Sequence, residues 1–336
     1  MIWQSLFIIL WLIPQAFPPN STTLKKIAVI ELPGPPGEHF DHLAIDYEDH
    51  YLLSAHTGPG ILYLIDTRTN RLVKAIHGLP GITAMVYVPE LGKVYTCDWG
   101  ENKIGVVSLS AMSVVKKLPA REKPNGGTYA APFGKVYISD TMGKEVAVLE
   151  VHSDTIAKEV KFDSETGMAQ FDPISGKVLV NLRNSDRIAE IDPASDKILA
   201  QYPVGRCDFN HGMALDAQDR RAFLLCAGND RLAVFDLNTH RSIEYIPLPP
   251  GGDDVQFDPG LHRIYVACES GVITVIREFD ANHYVKLEDF SVQPGVHPLA
   301  VDRETHRVYA PEQEENGKPV SRMIVFEAIE PTKGKR

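Results

Sequence analysis

Cysteine is scarce. The 336 residues contain four, Cys97, Cys207, Cys226 and Cys268, and no two form a close C-x-x-C pair. That spacing excludes a zinc ribbon or a thioredoxin-type motif. A bridge between Cys207 and Cys226 remains open in an oxidising compartment. Tryptophan is rarer still, and Trp99 is the only one beyond the first 17 residues. An excess of basic charge is also missing. The formal net charge is -10, which argues against nucleic acid as the main partner and suits a cation, a basic partner or a neutral small molecule. No apolar run reaches the roughly 20 residues of a membrane-spanning helix. No stretch carries a helical period of useful length, which leaves an all-β chain.

The ends stand apart from the rest. Leu6 to Ile13 is a short apolar run stopped by Pro14 and followed by Gln15-Ala16. It reads as a secretory signal over residues 1–17, although Lys and Arg are absent before it. Residues 18–25 read as a linker and 331–336 as a basic tail. The expected location is outside the cytoplasm: periplasmic, extracellular or at the cell surface, with no membrane span in the mature chain.

What is present is a repeat. Asp46, Val88, Ala131, Asp172, Asp216, Asp258 and Asp302 each precede a short turn and a strand such as Lys93-Val94-Tyr95, Lys135-Val136-Tyr137 or Arg263-Ile264-Tyr265. A polar turn, a third strand, a second turn and a fourth strand follow. The spacing of roughly 41 to 44 residues is that of a four-stranded propeller blade. Seven units predict a seven-bladed β-propeller over residues 26–330. The last unit lacks a fourth strand, and the unclaimed segment Lys26 to Pro33 has the pattern of one. It is expected to complete the last blade and close the ring. The recurring aspartates read as turn formers.

Val94-Tyr95-Thr96, Lys197 to Gly205 and Arg263 to Val266 resemble the YVTN-repeat β-propellers, and at the level of the repeat the likeness covers about residues 26–330. The resemblance implies the fold and an exported protein. It does not imply one activity, because such propellers host binding, scaffolding and enzymatic roles.

In a propeller the first strand of each blade lines the central channel. By register, the residues at its entrance are Asp41-His42, Thr83-Ala84, Gly126-Gly127, Gly167-Met168, His211-Gly212, Asp253-Asp254 and His297-Pro298. Blades five, six, seven and one therefore bring His211, Asp253, His297 and Asp41 to one sector of the mouth. His39, His42 and Asp254 lie beside them in sequence. Turns on the same face add His56, Asp98, Trp99, Asp140, Glu269 and Glu312.

Imidazoles and carboxylates in one mouth suit a divalent metal of unspecified identity, held by His211, His297, Asp41 and Asp253. The same groups could run metal-free acid–base chemistry, with His211 or His297 as the base. They could also only cap strands and hold channel waters. His39, His42, His56, Trp99, Asp254 and Glu312 are the candidate ligand contacts. The expected function is a binding propeller that takes a small molecule, glycan or protein on this face. The alternative is a metal-dependent lyase or lactonase-like hydrolase at the mouth. Binding of single-stranded DNA would need a basic groove with stacking aromatics, and this acidic mouth offers only Trp99.

Overall fold

The computed structural model describes residues 22–330. The expected signal, the first half of the linker (residues 18–21) and the basic tail lie outside them. The described residues form seven four-stranded antiparallel sheets. Six are built from consecutive strands. The seventh is ordered so that the N-terminal strand Leu24–Glu31 is its outermost member, beside Lys318–Ala328. Leu24 pairs with Ala328 and Glu31 with Arg322, so the two ends of the chain share one sheet. The strand starts two residues earlier than its pattern suggested, because Leu24 is apolar and buried against blade seven.

The blades are regular because the sequence alternates correctly within each one. The second and third strands of blade one, Tyr51–His56 and Ile61–Asp66, are buried on both faces, whereas the fourth, Arg71–His77, exposes alternate residues. The core runs as apolar layers between successive blades. Val86, Tyr95 and Val106 of blade two, for example, pack with Val136 and Ile138 of blade three.

The recurrent tyrosine ties neighbouring blades together. Tyr95 Oη donates to Asp154 at 2.5 Å and Lys93 Nζ to the same carboxylate at 2.9 Å. Tyr137 and Lys135 repeat this on Asp196, at 2.6 and 2.8 Å. The recurring aspartates form turns, as their spacing suggested. Asp216 Oδ1, for instance, accepts from the backbone N–H groups of Gln218 and Asp219 at 2.9 and 3.1 Å.

The feature that positions the channel mouth is a β-bulge at the start of the inner strands. Pairing with the second strand shifts between Asp41 and Leu43, Ile82 and Ala84, Pro124 and Gly127, Thr166 and Ala169, Asn210 and Met213, and Gly252 and Asp254. A bulge frees residues from the ladder and re-aims their side chains. In blade seven the inner strand is only Ala300–Asp302, so His297 stands in the connector before it.

Candidate functional site at the channel mouth

Four pieces of chain build one polar cluster. Asp41 lies at the bulge of blade one and Asp253 is the unpaired residue in the bulge of blade six. His297 belongs to the connector into blade seven. That connector is fixed two residues later, where Leu299 N–H donates to Asp254 Oδ2 at 3.1 Å. His39 comes from the segment after the N-terminal strand. Leu32 N–H and Gly37 N–H pin this segment to the carbonyls of Ser321 and Val320, both at 2.9 Å. These acceptors sit on the long hairpin of blade seven, Arg307–Glu315 and Lys318–Ala328, the first of which, the blade's second strand, outruns the six-residue second strands of the other blades.

His297 is the hub. Its Nε2 lies 3.0 Å from Asp253 Oδ2 and 3.6 Å from Asp41 Oδ1, and its Nδ1 lies 3.1 Å from Glu269 Oε1. The His39 ring meets the His297 ring edge-on at 4.5 Å. One ligand atom each from His39, Asp41 and His297 fall within 4.8 Å of one another. Asp253 Oδ2 is buried, and burial works against its charge, but His297 holds its pKa below the ordinary value.

Around the hub, His42 Nδ1 pairs with Asp41 Oδ1, and its Nε2 reaches 3.2 Å to Met168 Sδ in blade four. This contact crosses the ring and narrows the channel. His211 Nε2 is 3.7 Å from Asp253 Oδ1, while its buried Nδ1 has no partner.

The electrostatics follow from burial and pairing. Burial works against charge on His297, but Asp253, Asp41 and Glu269 overcome it and raise its pKa far above the ordinary range. Burial likewise opposes the charge on His42, and Asp41 raises it to about 9. His211 is lowered to about 4, mainly by burial, so it stands neutral. His39 is lowered by burial and by the charge of His297. Burial raises Asp254 to about 6.

Of the metal ligands expected from sequence, His297, Asp41 and Asp253 meet, with His211 at their edge. His39, expected only as a ligand contact, joins the group more closely than His211 does. His56 stacks on Phe40 at 3.9 Å and bonds Tyr63 Oη at 3.0 Å, inside blade one. Trp99 carries Lys123 Nζ over its ring at 4.3 Å. Glu312 accepts from Arg322 Nε at 2.5 Å, within the hairpin. These three face other partners than the hub.

Arg183 escaped the reading of the sequence. It follows the second strand of blade four, lies over the Phe209 ring at 4.1 Å, and is close enough to Asp253 to feel its charge. The signal was available, because Arg183 follows its second strand in the same register as Trp99 and Glu269. A cleft of about 370 Å³ lies beside the His297 connector, lined by Gln293, Pro294, Gly295, Glu312 and Gln313 among others.

Cys207 and Cys226 form a disulfide that ties the entry loop of blade five to the end of its second strand. Cys97 and Cys268 are free and buried.

No protein-family model matches the chain, and no curated protein matches it by sequence. Solved structures do match in fold. The WD40 repeats of RRP9 superpose with a TM-score of 0.75 at 10% identity, covering 93% of this chain and 98% of that one. A streptogramin B lyase gives 0.74 at 12% identity, covering 91% and 98%. Hydrazine synthase of Kuenenia stuttgartiensis gives 0.71 at 12% identity, covering 83% and 93%. At these identities the likeness establishes the propeller and nothing about its chemistry.

Proposed function

We propose that the chain is an exported binding propeller of the YVTN-repeat kind, which takes a small polar molecule, glycan or protein group on its channel face through a divalent metal at the mouth. The ligands are His39, Asp41, His297 and Asp253, and Arg183 adds a positive charge at the rim suited to an oxyanion of the bound molecule. The observation that carries this reading is the convergence of His39, Asp41 and His297, one ligand atom of each within 4.8 Å of the others, with Asp253 Oδ2 3.0 Å from His297 Nε2. Without a metal the imidazolium of His297 holds these carboxylates together, and a divalent cation would take the place of its proton. Imidazole with carboxylate suits Zn, Mn or Fe. The Cys207–Cys226 bridge supports an oxidising location.

Elemental analysis tests the reading. Wild-type protein should carry near-stoichiometric metal in the mouth, and the His39→Ala/His297→Ala variant should lose it while keeping its fold. Equal metal content in the two proteins would count against the site.

A second reading, a metal-dependent lyase or lactonase-like hydrolase, draws on His211, whose imidazole points at Asp253 and leaves Nδ1 unbonded. There His211 would serve as the base while the metal stabilises a developing oxyanion. In that case His211→Ala abolishes turnover yet keeps the metal. In a binding propeller it changes affinity alone.

A further inference from the structure

On the face opposite the mouth, the aspartate that ends the inner strand meets a basic side chain of the next blade at two junctions. Arg220 Nη1 lies 2.7 Å from Asp172 Oδ2, and His306 Nδ1 lies 2.8 Å from Asp258 Oδ2. His262 stands in the same register toward Asp216. At this one junction the pattern gains a member, Glu278.

Glu278 occupies a position that other blades fill differently. Its N–H bonds the carbonyl of His262 at 2.9 Å, as the N–H groups of Leu109, Val151 and Leu237 bond the matching carbonyls of Gly92, Gly134 and Arg220. Those three side chains are apolar and buried. Glu278 is buried as deeply, at 1% exposure. Its Oε1 accepts from Tyr284 Oη at 3.0 Å, and its Oε2 is buried without a hydrogen-bond partner. That free oxygen lies 3.8 Å from His262 Nδ1. One ligand atom each from Asp216, His262 and Glu278 fall within 4.8 Å of one another. The nearby Arg221 is turned to Asp236, 3.1 Å away.

We propose that Asp216, His262 and Glu278 form a second divalent-cation site, between blades five and six, on the face opposite the mouth. Two buried carboxylates side by side are unfavourable unless a cation or a proton compensates them. Two carboxylate oxygens and one imidazole are a three-ligand set for Zn²⁺, with water completing a tetrahedron. The His262 side chain is 56% exposed, so an ion reaches the site directly from solvent.

The test starts from the His39→Ala/His297→Ala background, which removes the mouth donors, so it does not depend on the function proposed for the mouth. Chelator-stripped protein is titrated calorimetrically with Zn²⁺. One equivalent should bind, and Glu278→Leu and His262→Ala should each weaken that binding at least about tenfold. Leucine is what blades two and five hold at this position, so the Glu278→Leu protein should melt no lower than its parent. Loss of Zn²⁺ is then separable from loss of fold. If the background binds no Zn²⁺, or if both substitutions leave the binding untouched, the proposal is overturned, and a shared proton is the better account of the carboxyl pair. Should the double background variant fail to fold, the zinc anomalous difference map of wild-type crystals decides the same question by a peak, or none, between the three side chains.

Discussion

Asp98 ends the second strand of blade two with its carboxylate wholly out of water. Oδ1 accepts from Thr96 Oγ1 at 2.9 Å, while Oδ2 is buried without a partner. Burial therefore pushes its pKa up to about 7. A carboxyl raised on folding binds its proton more tightly in the native state. Its penalty is absent below the unfolded value near 4 and complete above about 7, so stability falls as pH rises through that window. From this group the fall amounts to at most about 4 kcal/mol. Asp98→Asn should flatten the loss of stability between pH 4 and pH 8, read from urea unfolding at each pH. A variant with the wild-type slope would show that Asp98 is not held protonated.

The mouth residues are a different case at the same scale. Asp41, His211 and Asp253 could be found from sequence because the repeat sets where each inner strand begins. Arg183 could be found by the same register, as the residue after a second strand, whereas the prominence of His39 could not, because a connector places it and does not follow the ladder.

At the scale of the element, the bulges and the disulfide do the positioning. The bulge of blade five leaves His211 and Gly212 unpaired between Asn210 and Met213. Four residues upstream of His211, Cys207 is bonded to Cys226, across a sequence separation of 19. Closing a loop of that length in the unfolded chain accounts for about 3 kcal/mol in the entropic description. Cys207→Ser should lower stability by about that amount and should loosen the entry into blade five, read as faster amide exchange over residues 205–212. Unchanged melting with reductant present would mean that the bridge contributes nothing to stability. The element scale also explains the Lys-Val-Tyr strands. Their side chains reach Asp154 and Asp196 in the third-to-fourth turns of the neighbouring blades, a blade-to-blade role that periodicity within one blade does not display.

For the whole molecule, the decisive feature is closure. The strand Leu24–Glu31 joins the two ends of the chain in blade seven, burying Leu24 at 1% exposure and Ile30 at 5%. Deleting residues 24–31 removes that burial, worth about 3 to 6 kcal/mol for the two side chains. It also leaves the strand Lys318–Ala328 as an open edge. The deleted chain should unfold at clearly lower urea, and all blades should lose stability together. A truncated protein that melts like the full-length one would falsify ring closure as a stabilising device.

The seven blades, their boundaries and the closing strand were determined by the sequence itself, because strand alternation and turn chemistry are local and recur with one period. Only the tertiary structure decided which mouth residues meet. His39 and His297 are far apart in the chain, and each is fixed by ties to other segments, the blade-seven hairpin and the Thr57 turn for one, Asp254 and the Glu269 carbonyl for the other. The same holds for Glu278. Its sequence position reads as one more residue at the end of a strand, and only the packing of blade six on blade five turns it toward Asp216. A period specifies where strands lie. Contacts between connectors depend on how the ring closes, and no local pattern encodes that.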